Sequence, residues 1–194
     1  MFGWFKKKST TPFVPSPSSI VPRIKTNEFT AVLKSVHATP DEFPFIEPFV
    51  GNLLVTYAFD LPSAFIMATE SEIKQLGVRL EDVRRLALSN VQQRCPKIEI
   101  HHHGPIRQIV LGENMEACML LVDEFWDQAS QEVEGEIVVS VPSRSVVVYC
   151  ESQSPDGIIA LRAVAEQVMQ RESTHCLTDQ LLVRRDGSWA EFND

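Results

Sequence analysis

The stretch that most constrains the fold is residues 53–65, LLVTYAFDLPSAF. Over residues 52–59 apolar side chains fall on both alternating faces, the pattern of an interior strand covered from two sides. Such a strand needs neighbours along both edges and packing on both faces. It therefore belongs at the centre of a layered domain. It runs into a single carboxylate, Asp60, just before Pro62, which places that carboxylate where a core strand surfaces.

The flanking sequence supplies the layers. Residues 28–36 predict a first helix capped by Thr26 or Asn27, with Phe29, Val32, Leu33 and Val36 on one face. Pro40, Pro44 and Pro48 then force an irregular connection. Thr69 and Glu72 form a capping box for a short helix that stops at Gly77. A second helix over residues 80–94 carries Leu80, Val83, Ala87, Asn90 and Arg94 on one stripe. Asn90 on a packing face predicts a buried amide bonded to backbone or to Asp60. Residues 97–103 and 106–111 alternate around Gly104-Pro105 as a hairpin. Residues 116–131 read as an amphipathic helix, with Cys118, Leu121, Val122, Phe125 and Ala129 inward and Glu116, Asp123 and Asp127 outward. A second hairpin turns at residues 142–144, and a long helix starts after Ser154 with Pro155 in its first turn. A last hairpin turns at Asp186-Gly187. Hairpins alternating with helices predict an α+β fold, a mostly antiparallel sheet with helices packed on it.

Charge divides the chain unevenly. Residues 1–25 hold Lys6, Lys7, Lys8, Arg23 and Lys25 and no acid, whereas the remaining 13 basic side chains face all 26 acids. The net charge of −8 thus combines a basic start with a body near −13. Such a body repels phosphate backbones, so nucleic acid is a poor partner and a basic protein a good one. The Pro- and Ser-rich residues 9–22 read as a linker, giving a flexible tail over 1–25 and one domain over 26–194. The aromatics and lysines of MFGWFKKK suit weak contact with a membrane surface or a solvated terminus. The scattered cysteines Cys95, Cys118, Cys150 and Cys176 read as reduced thiols of a cytosolic protein.

The ordered segments YAFDLP, LALSNV, LLVDEFW, GEIVVSVPSRSVVVY and CLTDQLLVR, spread over residues 50–192, resemble the YtpQ-like family of bacterial proteins. The resemblance implies a bacterial, cytosolic domain and assigns no reaction. It singles out Tyr57, Asp60, Asn90, Trp126, Pro142 and Arg144.

Several groups are candidates for chemistry or binding. Glu99, His101 and His103 share one face of a predicted strand at the spacing a zinc or iron site uses; a solvated strand face gives the same pattern. Asp60 suits a general base, an anion paired with Arg144, or a cap for the turn at Pro62. Trp126, beside Asp123 and Asp127, reads as a binding anchor with an acidic rim or as a core-border aromatic. Glu116, Asp123 and Asp127 form an acidic stripe that Glu132, Glu134 and Glu136 extend. His37 and His175 stand alone. No nucleophile elbow, P-loop or dinucleotide fingerprint is present. The leading reading is a non-enzymatic protein-binding domain that captures a basic partner, one form being an immunity-type inhibitor of a bacterial toxin. The alternatives are a metal-dependent hydrolase using Glu99, His101 and His103, and a membrane-surface adaptor acting through the N-terminal segment.

Overall fold

Seven consecutive buried residues, Leu53 to Phe59, make β3 (Leu53–Leu61) the interior strand of a first sheet. Its even and odd side chains pack on opposite faces, as the run of apolar residues requires. The computed structural model describes residues 14–36, 39, 42–61, 64–171 and 175–193. The expectations for Phe2, Trp4, Phe5, the three lysines after them, His37 and Pro62 lie outside these residues.

β1 (Ile20–Thr26) pairs antiparallel with β3 along one edge, with Pro22 opposite Tyr57. β2 (Ile46–Pro48) and β4 (Ala64–Met67) pair with β3 along the other. Proline lacks a ladder donor, and Pro22 and Pro48 are accommodated because β1 and β2 are edge strands. β1 corrects the expected boundary at residue 25. Ile20, Val21, Arg23 and Ile24 are buried, so the domain begins at or before Ile20 and not at residue 26.

α1 (Asn27–Ser35) and α2 (Glu70–Gln75) follow the expected positions. The Thr69 hydroxyl accepts from the Glu72 amide at 3.2 Å, and the Glu72 carboxylate accepts from the Thr69 amide at 2.9 Å. α1 buries none of its residues, and Val32 on its apolar face is 58% exposed. α3 (Val83–Arg94) buries Val83, Ala87 and Asn90 as its stripe predicts. The Asn90 amide donates to the carbonyls of Pro17 and Ile20, both at 2.8 Å, and so ties α3 to the start of β1.

The second sheet has six antiparallel strands in the order β10-β9-β7-β8-β6-β5. They are β5 (Glu99–His103), β6 (Ile106–Val110), β7 (Ile137–Ser143), β8 (Val146–Glu151), β9 (Leu182–Arg185) and β10 (Ser188–Glu191). Asp186 and Gly187 take positive φ of 48° and 75° at the final hairpin, the conformation that tight turns of this kind demand. α5 (Pro155–Arg171) covers one face through Leu161 against Val138, Cys150 and Val183. The other face joins the first sheet in one core that holds Tyr57 and Phe59 together with Val139, Tyr149 and Trp126. The fold is α+β, as the sequence predicts.

The expected helix over residues 116–131 is interrupted. Glu116–Leu121 is a 3-10 helix with all six side chains buried. Val122 leaves helical geometry at φ −99° and ψ 84°, and α4 (Asp123–Ala129) starts in a new phase.

Candidate functional site

That break at Val122 rearranges the acidic stripe. Glu116 is buried, not exposed as expected: its Oε1 accepts from the amides of Gly112 at 2.9 Å and Leu111 at 3.3 Å. Its Oε2 is buried without a hydrogen-bond partner among the described residues. Asp123 and Asp127 do lie one turn apart on α4, and both face a cation of their own chain. Arg184 of β9 donates from Nη1 to Asp123 at 3.0 Å and from Nη2 to Asp127 at 2.7 Å. The Arg184 side chain is only 4% exposed, so these carboxylates neutralise a buried charge and pin the last hairpin to α4.

Trp126 is fully buried, which removes it as an exposed anchor. Its Nε1 donates to the Met119 carbonyl at 2.6 Å, and its ring meets Phe125, Tyr149 and Trp189 edge to face. With the helix broken at Val122, Trp126 turns into the core, while Phe125 packs against that core as expected, edge to face with Trp126 and Tyr149.

Asp60 does not pair with Arg144. Its side chain, 7% exposed, forms an ion pair with Arg94 at the end of α3. Arg144 occupies the β7–β8 turn, where its carbonyl accepts from the Ala117 amide at 3.0 Å. The candidate metal residues lie on β5, an edge strand, and do not converge. His101 contacts Glu99 at 3.2 Å, whereas His103 turns to Gln108 on β6 at 3.1 Å. Among the described residues no group of three or more His, Cys, Asp or Glu side chains is placed to hold a metal ion.

An apolar groove of about 750 Å³ lies between α3 and α4. Leu88, Val91, Cys95, Ile98, Leu111 and Val122 supply its apolar lining. That volume falls inside the range of ligand sites. Arg84 and Arg85 stand on the α3 side, Asp123 and Glu124 on the α4 side. Arg84 is held by Glu47 at 3.2 Å, and the same carboxylate accepts the Tyr57 hydroxyl. Burial, then the Glu47 carboxylate, pushes the Tyr57 phenol well above its ordinary range. Arg85 pairs with Asp82 at 3.0 Å. Both arginines are therefore compensated within the chain, while Glu124 has no ion pair among the described residues.

Sequence reasoning missed Arg23. The alternation in IVPRIKT is masked by Pro22 and by the Pro- and Ser-rich residues before it. It also missed the turn at Gly112, Glu113 and Asn114, where φ is 88°, 58° and 54°. Glu116 was detectable in principle: the contiguous run ACMLL after it is incompatible with one exposed helix face.

Comparison with known proteins agrees with a bacterial relationship. The chain is 26% identical over 140 residues to a UPF0354 protein of Staphylococcus haemolyticus, covering 71% of this chain and 47% of that relative. It is 21% identical over 165 residues to a UPF0354 protein of Halalkalibacterium halodurans, covering 84% of this chain and 60% of the relative. A Staphylococcus aureus UPF0354 protein is 23% identical over 145 residues, covering 73% and 49%. The chain spans about half the length of the curated relatives it matches. No family model and no solved structure matches. The similar proteins are thus members of the bacterial UPF0354 family, whose names state no activity.

Proposed function

We propose that this domain is a non-enzymatic protein-binding module, and that the groove between α3 and α4 receives an apolar, basic segment of a protein partner. The observation that carries the reading is the groove itself, with an apolar lining and carboxylates on its α4 side. Arg84 and Arg85 are matched by Glu47 and Asp82, which leaves Glu124 as the charge without an internal ion pair among the described residues. A chain of net charge −8 also speeds the approach of a cationic partner. This reading keeps the basic partner expected from composition and moves the contact from the α4 stripe to the groove beside it. Capture of a basic bacterial toxin by an immunity-type inhibitor is one form that fits the charge.

The test is a pair of groove substitutions, Leu88→Glu and Ile98→Glu, in the full chain. Ile98 is 43% exposed, so its replacement changes the groove with little effect on folding. A photo-crosslinking side chain placed at Ser89 identifies proteins bound there in bacterial cells. The proposal expects the captured protein to present a Lys- or Arg-bearing apolar segment, and its affinity to fall at least about tenfold in Ile98→Glu. A captured partner that binds both variants as tightly as the parent chain refutes the groove as the contact.

A further inference from the structure

The Asn90 amide holds the Pro17 and Ile20 carbonyls, both at 2.8 Å, so the chain enters β1 along one flank of α3. Val21, the next residue, packs in one buried cluster with Val91 and Cys95 of the helix and its C-terminal end. Those two side chains also line the groove between α3 and α4. The start of the described chain therefore lies on the flank of α3 that adjoins the groove. An α-helix with its side chains is about 10–12 Å across, which bounds the separation. Val14, the first described residue, is 77% exposed.

The sequence before Val14 has the chemistry that the groove lacks. Residues 2–8, FGWFKKK, carry three aromatic side chains and then three lysines, and no acid occurs before Glu28. The groove offers the complement. Leu88, Ile98 and Leu111 present apolar surface, and Ile98 is 43% exposed. Glu124 on the α4 side has no ion pair among the described residues, and the Asp123 side chain stays 70% exposed although it accepts from Arg184. Opposite charge and matching apolar surface together favour one pairing. Reach is no obstacle. From Lys8 to Pro17 an extended chain spans up to about 30 Å, more than twice the breadth of α3.

We infer that residues 2–8 occupy the α3–α4 groove of their own chain and compete there with the protein partner, an inference that rests on reading the groove as the protein-binding site. Phe2, Trp4 and Phe5 fill the apolar lining, and the lysines after them face Asp123 and Glu124. A tether of this length holds the segment at an effective concentration on the order of 1 mM. A segment with an intrinsic Kd of about 0.1 mM would then fill the groove roughly nine-tenths of the time. Any ligand that needs the same surface would bind about tenfold more weakly. The segment thus sets a threshold: weakly matched apolar, basic sequences are excluded, and a tighter partner displaces it.

The probe is a fluorescent peptide of residues 2–9, FGWFKKKS, followed by anisotropy. It is titrated into the full chain and into a full chain carrying Phe2→Ser, Trp4→Ser and Phe5→Ser together. The peptide should bind the triple variant saturably and the parent chain about tenfold more weakly, because the parent's own segment holds the groove. Adding Ile98→Glu to the triple variant should weaken the peptide at least about tenfold. A photo-crosslinking side chain at Ser89 of the purified parent should join residues 2–8 of the same chain, with a yield unchanged by dilution. Equal peptide affinity for parent and triple variant, peptide binding that ignores Ile98→Glu, or adducts that join two chains and fade on dilution overturn the inference. A cellular partner that responds to Ile98→Glu without any of these effects leaves the protein-binding reading standing and overturns the internal competitor alone.

Discussion

Removing residues 1–25 takes away all of β1 except Thr26, and the structure says how much that matters. Ile20 and Val21 are fully buried and Ile24 is 4% exposed. Burying an aliphatic side chain of this size contributes about 1.5–3 kcal/mol, so the three together contribute roughly 5–9 kcal/mol. The Asn90 amide also loses both of its acceptors, the Pro17 and Ile20 carbonyls, at a further cost of about 1–3 kcal/mol. The whole stability of a domain is typically about 5–15 kcal/mol, so these losses are of the same size. β3 would in addition expose a bare edge, which invites aggregation. The comparison is between a chain starting at Val14 and one starting at Thr26, followed by circular dichroism in urea. The Val14 chain should unfold cooperatively, and the Thr26 chain should show no cooperative transition or precipitate. A Thr26 chain that melts cooperatively within a few degrees of the Val14 chain refutes the assignment of β1 to the core.

Asn90→Leu should lower stability by about 1–3 kcal/mol in urea, because two carbonyls lose their donor; a neutral result means those carbonyls find other partners. Exchanging both Asp123 and Asp127 for Asn leaves Arg184 buried and uncompensated, and should cost on the order of 2 kcal/mol, more than Arg184→Met, which removes the charge itself. The reverse ranking would show that the pair contributes through attraction and not through compensation. Burial pushes the Cys118 thiol up to about 12 and the Cys150 thiol up to about 11, whereas an unfolded thiol ionises near 8.5. Their contribution is therefore fully present below about pH 8.5 and is lost as pH rises toward 11–12, because the unfolded chain releases its protons first. Stability should fall over that window by about 1.4 kcal/mol per pH unit for each thiol, and Cys118→Ala should make the slope shallower; identical slopes would remove Cys118 as a contributor.

Local signals transferred well from sequence to structure where one element decided them. The Thr69–Glu72 capping box, the turn at Asp186-Gly187 and the two-faced strand β3 each depend on a few adjacent residues. Asn90 was legible because helix phase alone places it on the packing stripe. Of the stripe of Glu116, Asp123 and Asp127 only Glu116 departs from the expected outward face: a single non-helical residue, Val122, breaks the helix and leaves Glu116 in the buried segment before it, and no local propensity marks the break. Trp126 moved from rim to core by the same break. Arg184 and Arg94, the partners of the candidate acids, lie 61 residues from Asp123 and on a different element from Asp60, so only the tertiary fold brings them together. The pairing of β1 with β3 belongs to the same class. A proline and a serine-rich approach make residues 20–22 look like linker and 23–25 like tail until the neighbouring strand supplies the missing hydrogen bonds.

Trp126 and Trp189 have a spectroscopic consequence. Their rings lie 5.1 Å apart at 88°, and their indole N–H groups bond successive carbonyls of one buried segment, Met119 and Leu120. Two chromophores this close couple electronically, so the folded chain should show an exciton couplet in circular dichroism that either tryptophan substituted by Phe abolishes. Trp126 belongs to α4 and Trp189 to β10, so the couplet measures the seating of the terminal hairpin and not helix content. If the hairpin lifts before the rest of the domain unfolds, the couplet will fade at lower urea than the helical signal at 222 nm, and the separation of the two midpoints will give the free energy of that local opening.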